Sequence, residues 1–251
     1  MRRWNARRRT PSARAMRDAG PPIRWLAIAA VLSVIPIVLF FAAGVEDVTP
    51  LLALPFLAFA IVGLLDRDGW RIRLAMAELA IRQRAHWTWG KLPVDPVSAE
   101  AWLAAYPDAP PEARASVMAT AGRYGDARAL VAAATADAPV GVVRLARLRI
   151  VFAAEDAGDH SIANALEVFD GTPELRDLPP AEQRYQRLSL AWSMAWLQVR
   201  SGDAWRDELA AAVRAFAPFR VPMRVRVFLL IQQYALAIAY AVAVAVVLFI
   251  T

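Results

Sequence analysis

The sequence predicts an all-α protein with three membrane-crossing helices and a domain of helical hairpins hung between the second and third. Three observations carry that expectation. Apolar side chains make up 58% of the 251 residues and the mean hydropathy is +0.36, above what a single water-facing domain usually carries. Three runs, at residues 25–45, 48–65 and 227–250, contain no charged side chain. The ~160 residues between the second and third runs are mostly Ala, Leu, Val, Arg and Glu with no sustained alternation of apolar and polar positions, which favours helices over strands.

The first run holds 21 residues, and at ~1.5 Å per residue it covers the ~30 Å of a hydrocarbon layer. The second holds 18 and is separated from the first only by Glu46 and Asp47, so the two read as a tight transmembrane hairpin over residues 25–65. The third holds 24, and its polar side chains are Gln232, Gln233, Tyr234 and Tyr240. Basic residues flank one side of each: eight Arg in residues 1–24, then Arg67, Arg71 and Arg73, then Arg220, Arg224 and Arg226. The positive-inside rule therefore places the N-terminus and the central domain in the cytoplasm and Thr251 outside, in a multi-pass protein of a bacterial cytoplasmic membrane. The bacterial assignment rests on arginine usage, with Lys91 the single lysine among 29 basic residues.

The Arg-rich tail, residues 1–24, carries eight Arg against one Asp, or +7, so the rest of the chain is nearly neutral beside the net charge of +6. Arg2, Arg3, Arg7, Arg8 and Arg9 lead it, and they are expected to contact anionic headgroups of the lipid bilayer rather than nucleic acid. The first run is too long for the apolar core of a cleaved signal peptide and reads as an anchor. Pro36, Pro50 and Pro55 read as kinks; backbone carbonyls freed there could also serve a ligand. The third run carries Ala235, Ala239 and Ala243 at i,i+4 spacing, a small-residue face suited to packing on the hairpin or on a second copy.

Between the spans, residues 66–97 read as a juxtamembrane helix over 71–87 and a Trp- and Pro-containing linker, followed by a short helix over 98–106. That helix opens a helical-repeat-like domain expected over residues 98–220. Gly-Asp occurs at Gly125-Asp126, Gly158-Asp159 and Gly202-Asp203, each between two helical stretches. Those stretches are 112–124 and 127–136, 142–157 and 160–169, and 181–201 and 204–216. Gly supplies a left-handed residue that ends one helix, and Asp caps the next. The spacings are 33 and 44 residues, the second containing an insertion at 171–181 with Thr-Pro and Pro-Pro pairs.

These turns, Gly125 to Leu130 and Gly158 to Ala163, resemble the turn between the two helices of a tetratricopeptide repeat. The resemblance covers roughly residues 111–218. Ala195 and Ala163 meet small positions of that family, whereas Met118, Val151, Leu130 and Asp207 depart from them. What the resemblance implies is a protein-binding surface rather than an active site. Arg144 and Arg147, at i,i+3 on one helix with Arg149 nearby, could receive an acidic peptide or a C-terminal carboxylate; a solvated helix face explains the same spacing. Trp192 and Trp196, with Leu188 and Val199, form a stripe expected in the core.

No catalytic constellation emerges. There is no Cys, and His86 and His160 have no second ligand at metal spacing. Nucleophile-elbow, phosphate-loop, dinucleotide and zinc-protease motifs are missing from the sequence. The expectation is a membrane-tethered adaptor or scaffold with no cofactor, no metal and no enzymatic activity. An accessory subunit of a transporter or envelope-assembly complex is the alternative, and a lipid-acting enzyme a more distant one.

Overall fold

The structure is a computed structural model, and it describes residues 66–86, 93, 96–216, 219–232 and 235. Among the described residues the secondary structure is helical, with no strand. Those residues belong to two compact units, one within Glu78–Pro218 and the other within Asp18–Ala77 and Phe219–Thr251.

Among the described residues no helix is long and apolar enough to cross a membrane. This corrects the three-span fold class and the multi-pass placement in a bacterial cytoplasmic membrane to an all-α fold without a described crossing helix. The two longest helices, α1 (Arg67–His86) and α8 (Pro180–Ser201), have sufficient length, but charge recurs along both of them. Arg71, Arg73, Glu78 and Arg82 interrupt the first, and Glu182, Arg184, Arg187 and Arg200 the second. The runs at 25–45 and 48–65, the tail residues Arg2, Arg3, Arg7, Arg8 and Arg9, and Ala239 and Ala243 lie outside the described residues. Of the third run, residues 227–232 and Ala235 are described; they are helical, and Val227, Phe228, Leu230, Ile231 and Ala235 are exposed.

In the unit that includes residues 66–77 and 219–235, Asp66 starts α1 by accepting the Gly69 N–H at 3.3 Å, and Ile72 and Ala75 are buried. Arg226 closes the turn before residues 223–232 by donating to the carbonyls of Phe219 and Val221 at 2.9 and 3.1 Å.

The larger unit carries the hairpins. Helix α2 (Pro96–Ala105) buries Ala99 and Trp102 against Ala109, Ala113 and Val117, the last two on α3 (Pro111–Thr120). Pro111 stands in the first turn of α3, where the missing N–H costs nothing. The chain then turns at Gly122, with φ of 82°, and enters α4 (Tyr124–Ala133). Gly125 lies inside that helix, so the left-handed residue falls three positions before the Gly-Asp pair expected to supply it.

The second hairpin is α5 (Pro139–Ala157) and α6 (Ile162–Gly171), and the third is α8 with α9 (Trp205–Ala215). Here the expected glycines do end the helices: Gly158 and Gly202 are left-handed, with φ of 68° and 94°. Capping of the next helix differs from expectation. Ser161, not Asp159, caps α6, accepting the Asn164 N–H at 3.3 Å, and α9 follows Ala204 with no side-chain cap from that residue. The insertion at 171–181 contains one helical turn, α7 (Pro173–Arg176), whose Leu175 is fully buried.

The packing is sequential. Helix α3 packs on α4, and α5 packs on both; α8 packs on α5 and α6, and α9 on α8 and α6. Counted from their terminal glycines, the last two hairpins share several buried positions. Val151 and Ala195 stand seven residues before Gly158 and Gly202, and Ala165 and Leu209 stand seven after. Phe169 and Val213 stand eleven after.

Candidate interaction face

Arg144 and Arg147 are half-buried on α5, and both act electrostatically on Tyr185 of α8. Arg149, on the same helix, is exposed. Arg147 donates through Nη1 to the Ser193 hydroxyl at 3.4 Å, while its Nε is buried with no hydrogen-bond partner. Burial pulls its affinity for the proton below the ordinary guanidinium value; Tyr185 opposes that shift and Arg144 adds to it. Among the described residues no carboxylate contributes.

Tyr185 is buried, which raises the pKa of its phenol, with Arg147, Arg144 and Arg82 pulling the other way and Glu182 adding to the rise. The Arg82 guanidinium lies 5.7 Å from the centre of the Tyr185 ring and donates to the carbonyl of Ala181 at 3.5 Å. Arg82 also sits 3.7 Å from Glu78, a buried carboxylate whose short partner is Arg184 at 2.7 Å. Arg147, Arg144 and Arg82 thus all act on Tyr185, as does the carboxylate of Glu182, and Arg82 is shared with Glu78.

A second polar cluster links the hairpins. Arg200 of α8 donates to Glu155 of α5 at 3.1 Å and covers the ring of Tyr124 of α4 at 4.4 Å. His160 Nε2 is 3.3 Å from Glu155. Its side chain is largely buried there. Arg128 of α4 reaches Asp156 of α5 at 3.0 Å. Glu208 of α9 accepts the backbone N–H groups of Ile162 and Ala163 and the Ser161 hydroxyl at the start of α6. Burial raises the Glu208 pKa, but the hydrogen bonds from Gln198, Ser161, Ala163 and Ile162 outweigh it and hold the pKa below the ordinary value.

The remaining sequence-derived residues are placed as follows. Leu188 is in the core, and Trp192, Trp196 and Val199 are half-buried. Of the two small residues that fit the repeat pattern, Ala195 is buried and Ala163 exposed. His86 closes α1, far in sequence from the second histidine, and among the described residues no group of three metal-ligating side chains assembles. Sequence reasoning missed Tyr185, Ser193, Arg82 and Glu208, since their partners stand some 40 to 100 residues away and share no local spacing.

No protein-family model, no curated protein and no solved structure matches the chain.

Proposed function

We propose that the chain is a protein-interaction adaptor, a stack of tetratricopeptide-like helical hairpins that recognises an acidic partner through the face bearing Arg144 and Arg147. The observation that carries this reading is the sequential packing. Each new hairpin sets its first helix against both helices of the one before, and the last two share several buried positions around their terminal glycines. A stack of that kind buries one continuous core and leaves extended helix faces for partners. The guanidinium groups of Arg144 and Arg147 beside Tyr185 support the charge preference.

The reading is tested by crosslinked affinity purification of the full chain, beside a chain lacking residues 92–218 and a chain carrying Arg144→Glu and Arg147→Glu. Partners are expected to vanish with the hairpins and to weaken strongly with the charge reversal. Partners retained by the deleted chain would move recognition to other segments and refute the adaptor role of the hairpins.

A further inference from the structure

The sequence holds no acidic residue after Glu208, while four arginines follow it, at 214, 220, 224 and 226. Residues 227–250 then carry no charged side chain at all. In the unit that includes residues 219–235, Arg220 and Arg224 are exposed. Arg226 is half-buried and holds the carbonyls of Phe219 and Val221.

The helix over residues 223–232 carries apolar side chains on its outside. Met223, Phe228 and Ile231 are 71%, 62% and 59% exposed, and Val227 and Leu230 are exposed as well. Met223, Val227, Leu230 and Ile231 stand at i, i+4, i+7 and i+8 and share one face. Arg224, Phe228 and Ile231, at i, i+4 and i+7, form the adjoining stripe, so the cation and the apolar groups point the same way. The other side is half-buried at Val225, Arg226 and Leu229. A contiguous exposed apolar face of this kind marks contact with something outside the chain.

Charge decides between the occupants. In a two-fold contact between copies of this face, Arg220 and Arg224 would meet cations like themselves, with no acid in the segment to pair with them. A lipid surface suits both features together. The acyl boundary takes the apolar side chains, and anionic headgroups take the guanidinium groups, whose aliphatic stems lie along the apolar face. At ~1.5 Å per residue the helix over residues 223–232 is ~15 Å long, about half the thickness of a hydrocarbon layer, so the contact asks only that it lie on the surface.

We infer that this face rests on an anionic lipid surface, with Met223, Val227, Phe228, Leu230 and Ile231 at the boundary of headgroups and acyl chains and Arg220 and Arg224 on the phosphates. The contact uses none of the residues proposed for the acidic partner.

The chain has no cysteine, so single cysteines can be placed without background. Phe228→Cys and Ile231→Cys in the full chain, each labelled with nitrobenzoxadiazole, report the face, and Val140→Cys, on an exposed position of α5, is the control. With vesicles of mixed phosphatidylglycerol and phosphatidylcholine, the label at 228 and 231 should brighten severalfold and be quenched by nitroxide-bearing lipid, while the label at 140 is not quenched. Quenching at 228 and 231 should fall severalfold in vesicles of phosphatidylcholine alone. Arg220→Gln combined with Arg224→Gln should produce the same fall in the mixed vesicles. All the substituted positions are exposed, and Ile231→Cys serves alone should Phe228→Cys fail to fold. Absence of quenching by nitroxide lipid at 228 and 231 would overturn the inference. So would quenching that ignores both the anionic lipid and the two arginines. Brightening without vesicles that rises with protein concentration would assign the face to a second copy and overturn it as well.

Discussion

Glu208 serves the N-terminus of α6 from a different helix. Three donors converge on its Oε1: the Ile162 N–H at 2.8 Å, the Ser161 hydroxyl at 2.9 Å and the Ala163 N–H at 3.3 Å. Those N–H groups are among the ones a helix start leaves without intrahelical partners, and a carboxylate there also meets the positive end of the helix dipole. Glu208→Ala is expected to destabilise the fold by about 1–2 kcal/mol, the usual range for loss of a helix cap. The pH dependence follows from the depressed pKa. The unfolded chain binds its proton near the ordinary value of 4.5 and the folded chain only at lower pH. The contribution of Glu208 is thus present above pH 4.5 and is lost as pH falls through the folded value. Urea melts of wild type and Glu208→Ala should therefore differ at neutral pH and converge in acid. A difference that persisted unchanged at low pH would show that charge plays no part. Arg147 makes the opposite case, because its buried charge lacks an acid. Arg147→Met should hold or raise the melting temperature, since replacing an unpaired buried charge with an apolar chain of similar length removes a desolvation cost.

At the scale of the element, the three Gly-Asp pairs separate into two kinds. Gly158 and Gly202 end α5 and α8 in the left-handed region, where a Cβ is strained even though the space around it is open. Each Gly→Ala change there should cost about 1–2 kcal/mol. Gly125 sits in the first turn of α4 with nothing near the place a Cβ would take, so Gly125→Ala should stabilise by ~0.5–1 kcal/mol. Thermal melts of the three variants would read this directly, and equal losses at all three would contradict the assignment. The same contrast shows what the sequence made legible. Helix type and approximate bounds followed from composition and from Pro and Gly: α5 and α8 were expected at 142–157 and 181–201 and start only three and one residues earlier. The Gly-Asp motif placed the two turns at which α5 and α8 end. It misplaced the turn after α3, because Gly122, carrying no Asp beside it, competes for the same left-handed role. It also misassigned the caps, because Ser161 and the distant Glu208 satisfy the groups expected of Asp159. Asp159 instead accepts from the Ser161 N–H and the Asn164 side chain within the turn.

At the scale of the whole hairpin unit, long-range pairing was the signal on which the sequence is silent. The uncharged runs at 25–45, 48–65 and 227–250 carry the positive mean hydropathy, whereas in the described hairpin helices buried Ala and Leu alternate with Arg and Glu, as stacking requires. The Arg144 and Arg147 pair was visible as an i,i+3 spacing, but its setting was not, since Ser193 and Tyr185 come from a helix about 40 residues on. Arg200 shows how such distant partners join the stack. It lies on the first helix of the third hairpin, donates to Glu155 on the first helix of the second, and covers Tyr124 on the second helix of the first. One side chain thereby touches all three hairpins. If that contact couples them, Arg200→Met and Tyr124→Leu should not act independently. Each variant should lower stability. The double variant should lose less than the sum, by about 0.5–1 kcal/mol, the range of a partly exposed cation–π contact. Urea unfolding of the four proteins supplies the cycle. A coupling indistinguishable from zero would mean that Arg200 contributes through Glu155 alone, and that the first hairpin is held to the stack by the apolar contacts of α3 and α4 with α5.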